Sequence, residues 1–483
     1  MKWQVINVLG RMMLSFVVFA VLARLLDPAS FGLMSMTAVY VSFVALFAEQ
    51  GLGTALIQRR ELEPEHADTA FWFNLGTAST LCIGTLLFAG PVSRFLGEPN
   101  LAPLLRWSSL GLIVGASASI HTCLFVKEMD FRRPATRTLI ANLSGGSVGV
   151  VLAFSGFGVW ALVAQQLAAT AAGAAFLWTA SPYRPSLRFS GRHLRELLGV
   201  SSSVFGTSLL WFASSRLDQL IIGRFAGPAA LGMYVIAGKL PEIAKTFTHH
   251  PVAEVSLPAL AKIQGDFPRM QNAIYRGMEI NATISFAVFL GLAAISPQLV
   301  PTIFGAKWAA ASDLCALLSL YALVNALQVF FHPALLASGG AGKYLLLNVW
   351  HSVGVLASCA IGIQFGTNYL VWGMITNGII VAVGALILLR RRIGLSPFQY
   401  LTPCIAPGFA AALMFLAVRG ANAFIAADIG GLPRIGCSIL GGGSIYLIIL
   451  FILAPHAVRN VASMTASILR KVQKPSLGMP RSQ

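Results

Sequence analysis

The sequence predicts an all-α integral membrane protein of about fourteen transmembrane helices, in two parallel six-helix lobes plus two C-terminal helices. Three observations predict it. The 483 residues are 56% hydrophobic and only 11% charged, with a mean hydropathy of +0.75. A soluble globular protein carries about 25% charged residues, so this chain cannot cover a water-facing surface. Apolar runs also recur along the whole chain at the ~20-residue length that crosses a bilayer. Finally, Arg24-Leu-Leu-Asp-Pro28-Ala29-Ser-Phe-Gly32 and Arg224-Phe-Ala-Gly-Pro228-Ala229-Ala-Leu-Gly232 are one phrase written twice, with Arg, Pro, Ala and Gly in register. A membrane chain that repeats itself in halves has the build of a transporter.

In chain order the expected spans are 3–23, 31–52, 71–95, 104–124, 138–155, 157–178, 197–222, 230–253, 280–303, 312–331, 345–363, 369–389, 401–419 and 435–455. Each is a helix, because backbone polar groups in lipid must be satisfied within the segment. The first run continues to about Ala23 without a small-residue cleavage site, so it reads as a span and not a signal peptide. The first copy of the phrase follows span one and the second follows span seven, so both halves enter the membrane in the same direction. That is a parallel repeat about an axis along the membrane normal. The expected divisions are an N-lobe at 1–180, a C-lobe at 181–395, two additional spans at 396–456 and a basic tail at 457–483. Between spans eight and nine, the stretch 254–279 sets Gln264, Asp266, Arg269, Gln271 and Arg276 among apolar positions, the pattern of a surface helix against headgroups.

Lys and Arg orient the chain. With a cytoplasmic N-terminus, the inside loops hold Arg59-Arg60, Lys127, Arg132, Arg133, Arg137, Arg184, Arg188, Arg192, Arg195, Lys262, Arg269, Arg276, Lys343 and Arg390-Arg391-Arg392, and the tail adds Arg459, Arg470, Lys471, Lys474 and Arg481. Outside loops hold Arg24, Arg94, Arg106, Arg224, Lys307, Arg419 and Arg434. The inside excess is roughly threefold and places both termini in the cytoplasm. The net charge of +17 is therefore read as topology signals and contacts with anionic membrane lipids, and nucleic acid is not an expected partner.

Cys82, Cys123, Cys315, Cys359, Cys404 and Cys437 all fall in apolar runs, without a C-x-x-C pair or a His cluster, and read as small hydrophobes. No metal or cofactor is expected. Gly342-Lys343 lacks the spacing of a phosphate loop, and neither H-E-x-x-H nor G-x-S-x-G occurs, so the chain is not expected to be an enzyme. Asn142-Leu-Ser and Asn281-Ala-Thr match a glycosylation pattern but begin inside or beside spans, and are discounted.

An ionisable residue at a helix centre costs about 2.5–3.5 kcal/mol on insertion scales, so those retained in spans are candidate site residues. Arg11, Arg216, Lys239 and Lys245 are the candidates for a cationic cavity; Asp218, Glu242 and Glu49 are the candidates for a coupling ion. Lys239, Glu242 and Lys245 succeed one another at three-residue spacing, so they share a helix face and can pair. Pro241 among them can kink that helix. Arg216 and Asp218, two apart, point to different faces. Arg11 faces an anionic substrate or snorkels to the headgroups. In the repeated phrase, Pro is read as the start of a helix, Gly as a close-packing point and Arg as an outer anchor: a boundary element and not a binding site.

Several segments carry a resemblance. Leu22-Ala-Arg-Leu-Leu-Asp-Pro-Ala-Ser-Phe-Gly32, Glu49-Gln-Gly-Leu-Gly-Thr-Ala-Leu-Ile-Gln-Arg59, Thr69-Ala-Phe-Trp-Phe-Asn74, Gly158-Val-Trp-Ala-Leu-Val163, Ser181-Pro-Tyr-Arg-Pro185, Leu217-Asp-Gln-Leu-Ile-Ile-Gly-Arg224, Ala230-Leu-Gly-Met-Tyr234 and Pro258-Ala-Leu260 together resemble the polysaccharide and lipopolysaccharide flippases of the Wzx type. The chain is most similar to the colanic-acid exporter-like group of the multidrug/oligosaccharidyl-lipid/polysaccharide exporter superfamily, from about residue 10 to 420. It lacks the basic segment with which the family usually starts. The resemblance implies two lobes that open alternately, in a bacterial cytoplasmic (inner) membrane. It also implies a substrate of undecaprenyl-diphosphate-linked oligosaccharide, moved to the periplasmic leaflet for exopolysaccharide or lipopolysaccharide synthesis. Polysaccharide polymerase and glycosyltransferases of the same pathway are the implied partners. A multidrug or small-cation antiporter of the superfamily is the alternative; its cavity should be acidic or aromatic, whereas bases here are at least as numerous as acids. A membrane-embedded glycan polymerase or ligase would need a sizeable outer loop, and the longest, about 420–434, holds only Asp428 and Arg434 as charges.

Overall fold

The computed structural model describes residues 2–49, 51–59, 61–424, 431–456 and 458–459; the side chains of 2–9, 11, 200–204, 207, 210, 214, 250 and 423–424 also lie outside the description. Among the described residues every regular element is helical. In order these are α1 (Lys2–Leu25), α2 (Pro28–Glu49), α3 (Leu52–Gln58), α4 (Pro64–Phe95), α5 (Leu101–Lys127), α6 (Arg132–Phe154), α7 (Val159–Ala180), α8 (Gly191–Thr248), α9 (His250–Ala261), α10 (Phe267–Phe304), α11 (Ala311–Ala326), α12 (Phe331–Ala337), α13 (Ala341–Gly362), α14 (Thr367–Ile393), α15 (Pro397–Phe424) and α16 (Gly431–Leu453), with a 3₁₀ turn at Ala306–Trp308. Twelve described stretches are long and apolar enough to cross a membrane. The count falls below fourteen for two reasons: one stretch, Ser215–Ala261, holds parts of two expected spans, and only Met12–Leu25 of α1 qualifies, as a shorter apolar helix. Large side chains such as Leu87, Phe88, Leu346 and Ile452 point outward, as they do where hydrocarbon replaces water.

The boundaries differ from expectation in three places. α10 starts at Phe267, so of the polar stretch before span nine Arg269, Gln271 and Arg276 lie in the first turns of one long helix, while 254–261 belong to α9 and Gln264 and Asp266 lie between the two helices. Asp266 starts it, accepting the backbone N–H of Arg269 at 3.0 Å with Pro268 at the start of the helix. α8 keeps helical backbone through Pro241; its break lies at Gly227, where φ 85 and ψ 168 require a residue without Cβ. Cys437 is exposed, unlike Cys82, Cys315, Cys359 and Cys404, which are buried as expected, while Cys123 is half-buried.

The described residues pack as two compact units, one within Trp3–Val235 and one from Ile236 onward. This partition is by packing, and its boundary falls within α8, downstream of the repeat division at 180. In the first unit, α4, α5 and α2 enclose Val41, Val44, Ala78, Leu112 and Ala116. A Cβ on Gly145 of α6 would lie 2.6 Å from the Gln165 carbonyl of α7, so these helices meet through small residues. The second unit uses the same device between α13 and α14, where Gly362 lies against the backbone of Leu370 and Gly373 against Ser358. Its core joins α10, α12, α14 and α15 through Met278, Phe331, Leu389 and Tyr400.

The segment between α7 and α8 is docked on the N-terminal end of α4. Asp68 accepts the Tyr183 hydroxyl at 2.7 Å and the Ser186 N–H at 3.2 Å. Trp72 Nε1 donates to the Ser186 carbonyl at 2.8 Å, and the Ser190 N–H donates to Thr69 Oγ1 at 3.1 Å. Burial, with the Asp68 hydrogen bond, raises the Tyr183 pKa, so the phenol stays a donor. Arg59 closes the dock on Glu196 at 2.6 Å.

Candidate functional site

The repeated phrase closes on itself. Pro28 is the first residue of α2 and Pro228 follows the break in α8 at Gly227, and each Gly of the phrase seats on the other copy's proline. A Cβ on Gly32 would lie 1.7 Å from the Pro228 carbonyl oxygen, and a Cβ on Gly232 would lie 2.0 Å from that of Pro28. Only glycine fits either position. The copies differ in how they start their helices: Asp27 accepts the Ser30 hydroxyl ahead of α2, whereas Gly227 supplies a positive φ in α8. Arg224 donates from Nε to the Phe95 carbonyl at 2.9 Å, satisfying an orphaned group at the end of α4.

The candidate side chains divide between the units. Arg11, Glu49, Arg216 and Asp218 belong to the first; Lys239, Glu242 and Lys245 belong to the second. The Arg11 side chain lies outside the described residues. Glu49 is exposed at the end of α2. Asp218 is buried at 8% exposure while Arg216 is exposed, which is the two-face arrangement their spacing requires. Tyr234 donates to Asp218 Oδ2 at 2.7 Å, and Oδ1 has no hydrogen-bond partner among the described residues. One residue along, Gln219 Oε1 accepts the Ser35 hydroxyl of α2 at 2.8 Å. Tyr234 and Ser35 were not among the sequence candidates. Neither is ionised, so hydropathy gives no reason to select them.

In the second unit Lys239 pairs with Glu242 at 3.3 Å. Glu242 does not continue the chain of pairs to Lys245: that ammonium sits 5.4 Å from the centre of the Tyr321 ring, within cation–π range. The same helix forms one wall of an apolar groove of about 400 Å³, lined by Leu240, Ile243 and Ala244 against Val288, Met414 and Tyr446.

A helix break lies deeper in this unit. α11 ends at Ala326 and α12 starts at Phe331, so the helical ladder is interrupted in an apolar setting; the Ala326 carbonyl keeps a long 3.4 Å backbone bond from the Val329 N–H, and carbonyls here need further donors. Two side chains supply them. Asn281 Nδ2 donates to the Ala326 carbonyl at 2.9 Å, and the Tyr400 hydroxyl donates to the Leu327 carbonyl at 2.6 Å. Interrupted helices with re-satisfied carbonyls are a recurrent element of transporters.

A family model described as polysaccharide biosynthesis protein matches residues 21–313. The succinoglycan biosynthesis transport protein ExoT of Rhizobium meliloti is 28% identical over 423 residues, 86% of this chain and 85% of that protein. The lipopolysaccharide biosynthesis protein WzxC of Escherichia coli is 25% identical over 410 residues, 84% of this chain and 81% of that one. Among solved structures, lipid II flippase MurJ in an inward closed conformation shares the fold, with a TM-score of 0.77 at 14% identity over 95% of this chain and 100% of that one. A multidrug resistance MATE family transporter follows at 0.59 and 19%, over 81% of this chain and 98% of that one. The repeated phrase, the interrupted helices and a family match over most of the chain agree: this protein belongs to the polysaccharide biosynthesis protein family of membrane transporters.

Proposed function

We propose that the protein is a flippase carrying undecaprenyl-diphosphate-linked oligosaccharide from the cytoplasmic to the periplasmic leaflet of a bacterial inner membrane, for exopolysaccharide or lipopolysaccharide synthesis. The observation that carries this reading is similarity along more than four-fifths of the chain to proteins named for transport in succinoglycan biosynthesis and for lipopolysaccharide biosynthesis. Three basic side chains support it. Arg216, Lys239 and Lys245 are retained in apolar helices at an insertion cost of about 2.5–3.5 kcal/mol each at a helix centre. A diphosphate is the group whose passage compensates for that cost, and Arg11 joins the set on its depth in span one. The antiporter reading would favour acids over bases at these positions.

The division of labour follows from the chemistry. The cations hold the diphosphate as point charges and, at Arg216, as a bidentate fork. The prenyl chain stays apolar throughout, and the groove beside Leu240 and Ile243 suits an alkyl chain. Two repeat lobes, 1–180 and 181–395, open alternately, with 396–456 as an addition and both termini in the cytoplasm. Direction requires different affinities in the two open states. A gradient acting on Asp218, whose Oδ1 has no hydrogen-bond partner among the described residues, supplies that difference. Glu242, already paired with Lys239, and Glu49 are the weaker choices. Glycosyltransferases supply the substrate and a polymerase consumes it.

The test is reconstitution in liposomes with a labelled prenyl-diphosphate oligosaccharide in both leaflets. Protein-containing vesicles expose the whole labelled pool to an external probe, where protein-free vesicles expose only the outer leaflet. Arg216→Ala and Lys239→Ala slow this about tenfold or more, as loss of a charge-assisted contact of ~1.5–3 kcal/mol requires. Unchanged accessibility with the wild-type protein refutes the flippase reading; unchanged rates in the variants refute the cavity.

A further inference from the structure

A buried histidine and a half-buried one meet where α4 and α8 begin. His66, in the first turn of α4, is 1% exposed, and neither ring nitrogen has a hydrogen-bond partner among the described residues. His193, in the first turn of α8, stacks on it with ring centroids 4.1 Å apart, and its Nδ1 is likewise without a hydrogen bond. Orphaned polar atoms of this kind are rare in folded interiors and require an explanation. Two carboxylates flank the pair: Glu63 Oε2 lies 3.5 Å from His193 Nε2, and Glu196 Oε2 lies 3.6 Å from His66 Nε2.

We propose that Glu63, His66 and His193 form a binding site for a zinc-like divalent transition metal. One ligand atom from each lies within 4.8 Å of the others. A tetrahedral site with bonds near 2.0–2.1 Å separates its ligands by about 3.3 Å, so the set has to contract around a bound ion. Two imidazoles and a carboxylate select zinc and its neighbours over magnesium or calcium. The ligands must be neutral histidines; burial, and then the Arg59 guanidinium, lower the His66 pKa. The same guanidinium weakens attraction for a cation, and the Glu63 and Glu196 carboxylates offset it. Glu196 is not a ligand. It is fixed by Arg59 at 2.6 Å and Arg192 at 3.1 Å, so it acts as the outer carboxylate that orients the His66 ring. The fourth position is left to water.

The site joins α4 to the first turn of α8, across the docked segment 181–190. Its metal would tie that connection down independently of any substrate in the membrane.

Tag-free protein in detergent, equilibrated with zinc and passed over a desalting column, is expected to keep one zinc per chain by elemental analysis. Cobalt in its place is expected to give the visible absorption of a tetrahedral centre. His193→Ala and His66→Gln each lower the affinity at least tenfold. His456→Ala, which removes a histidine paired with Glu279 elsewhere, retains full binding. Hydrogen exchange in 181–196 slows on zinc addition in the wild type and not in His193→Ala, which reports the site if His66→Gln fails to fold. Sub-stoichiometric zinc in the wild type, or equal retention in His193→Ala, overturns the proposal.

Discussion

At the residue scale the least replaceable positions are Gly32 and Gly232. A methyl group at either would overlap a backbone carbonyl, and backbone cannot rotate away as a side chain would. Gly32→Ala and Gly232→Ala should each destabilise the protein by at least the ~1–3 kcal/mol of an overpacked core, read as a lower melting temperature in detergent. Control changes at Gly84 and Gly115, where a Cβ would meet nothing, should leave it unmoved. Asp218 yields a second prediction. Tyr234→Phe removes the hydroxyl bonded to the buried carboxylate, a loss of ~1–3 kcal/mol, whereas Tyr234→Phe with Asp218→Leu should recover part of it. A double-mutant cycle on thermal stability measures the difference. Both glycines were legible as packing points from the repeat itself. The pairing of Tyr234 with Asp218 was not, because a neutral hydroxyl leaves no trace in hydropathy or charge. Nor was the His66–His193 contact, since its two members lie on distant segments and neither stands in a ligand motif.

Elements explain where boundaries were readable. Expected spans ended close to the helices they became wherever Pro or Gly punctuates the chain, as at Pro28, Pro397 and Gly431. α10 ran longer than expected because hydropathy registers the hydrocarbon-crossing part of a helix and is blind to a polar extension, here started by Asp266. The break between α11 and α12 was invisible for the opposite reason: its residues are as apolar as their neighbours, and only Asn281 and Tyr400 reveal it by capturing two carbonyls. Tyr400→Phe should therefore cost ~1–3 kcal/mol in thermal stability while leaving Tyr344→Phe as a neutral control. The dock on α4 has a pH signature. Hydrogen bonds from Arg59, helped by Arg192, hold Glu196 at about 2 against partial desolvation. A carboxyl depressed below its ordinary value near ~4.3 stabilises the folded state above that value and ceases to do so as the pH falls toward the depressed one. Amide protection across 181–196, taken relative to the intrinsic exchange rate at each pH, should be high at pH 6 and fall between roughly pH 4 and pH 2; in Arg59→Ala it should be low throughout.

Across the whole molecule, composition alone identified the solvent, and the duplicated phrase suggested a two-lobed transporter. Orientation rests on Lys and Arg and is tested directly: single cysteines placed at positions 192 and 391 should react with a membrane-permeant maleimide only, and one at position 97 with an impermeant maleimide from outside whole cells. Labelling in the reverse pattern would invert the topology. The contact between the two copies of the phrase has one more consequence. Each copy offers a glycine and receives one, so the surface is its own complement, as in an isologous pair of identical subunits. A side chain added to one copy's glycine therefore strikes the other copy's proline carbonyl, and neither half of the contact can drift in sequence without the other feeling it.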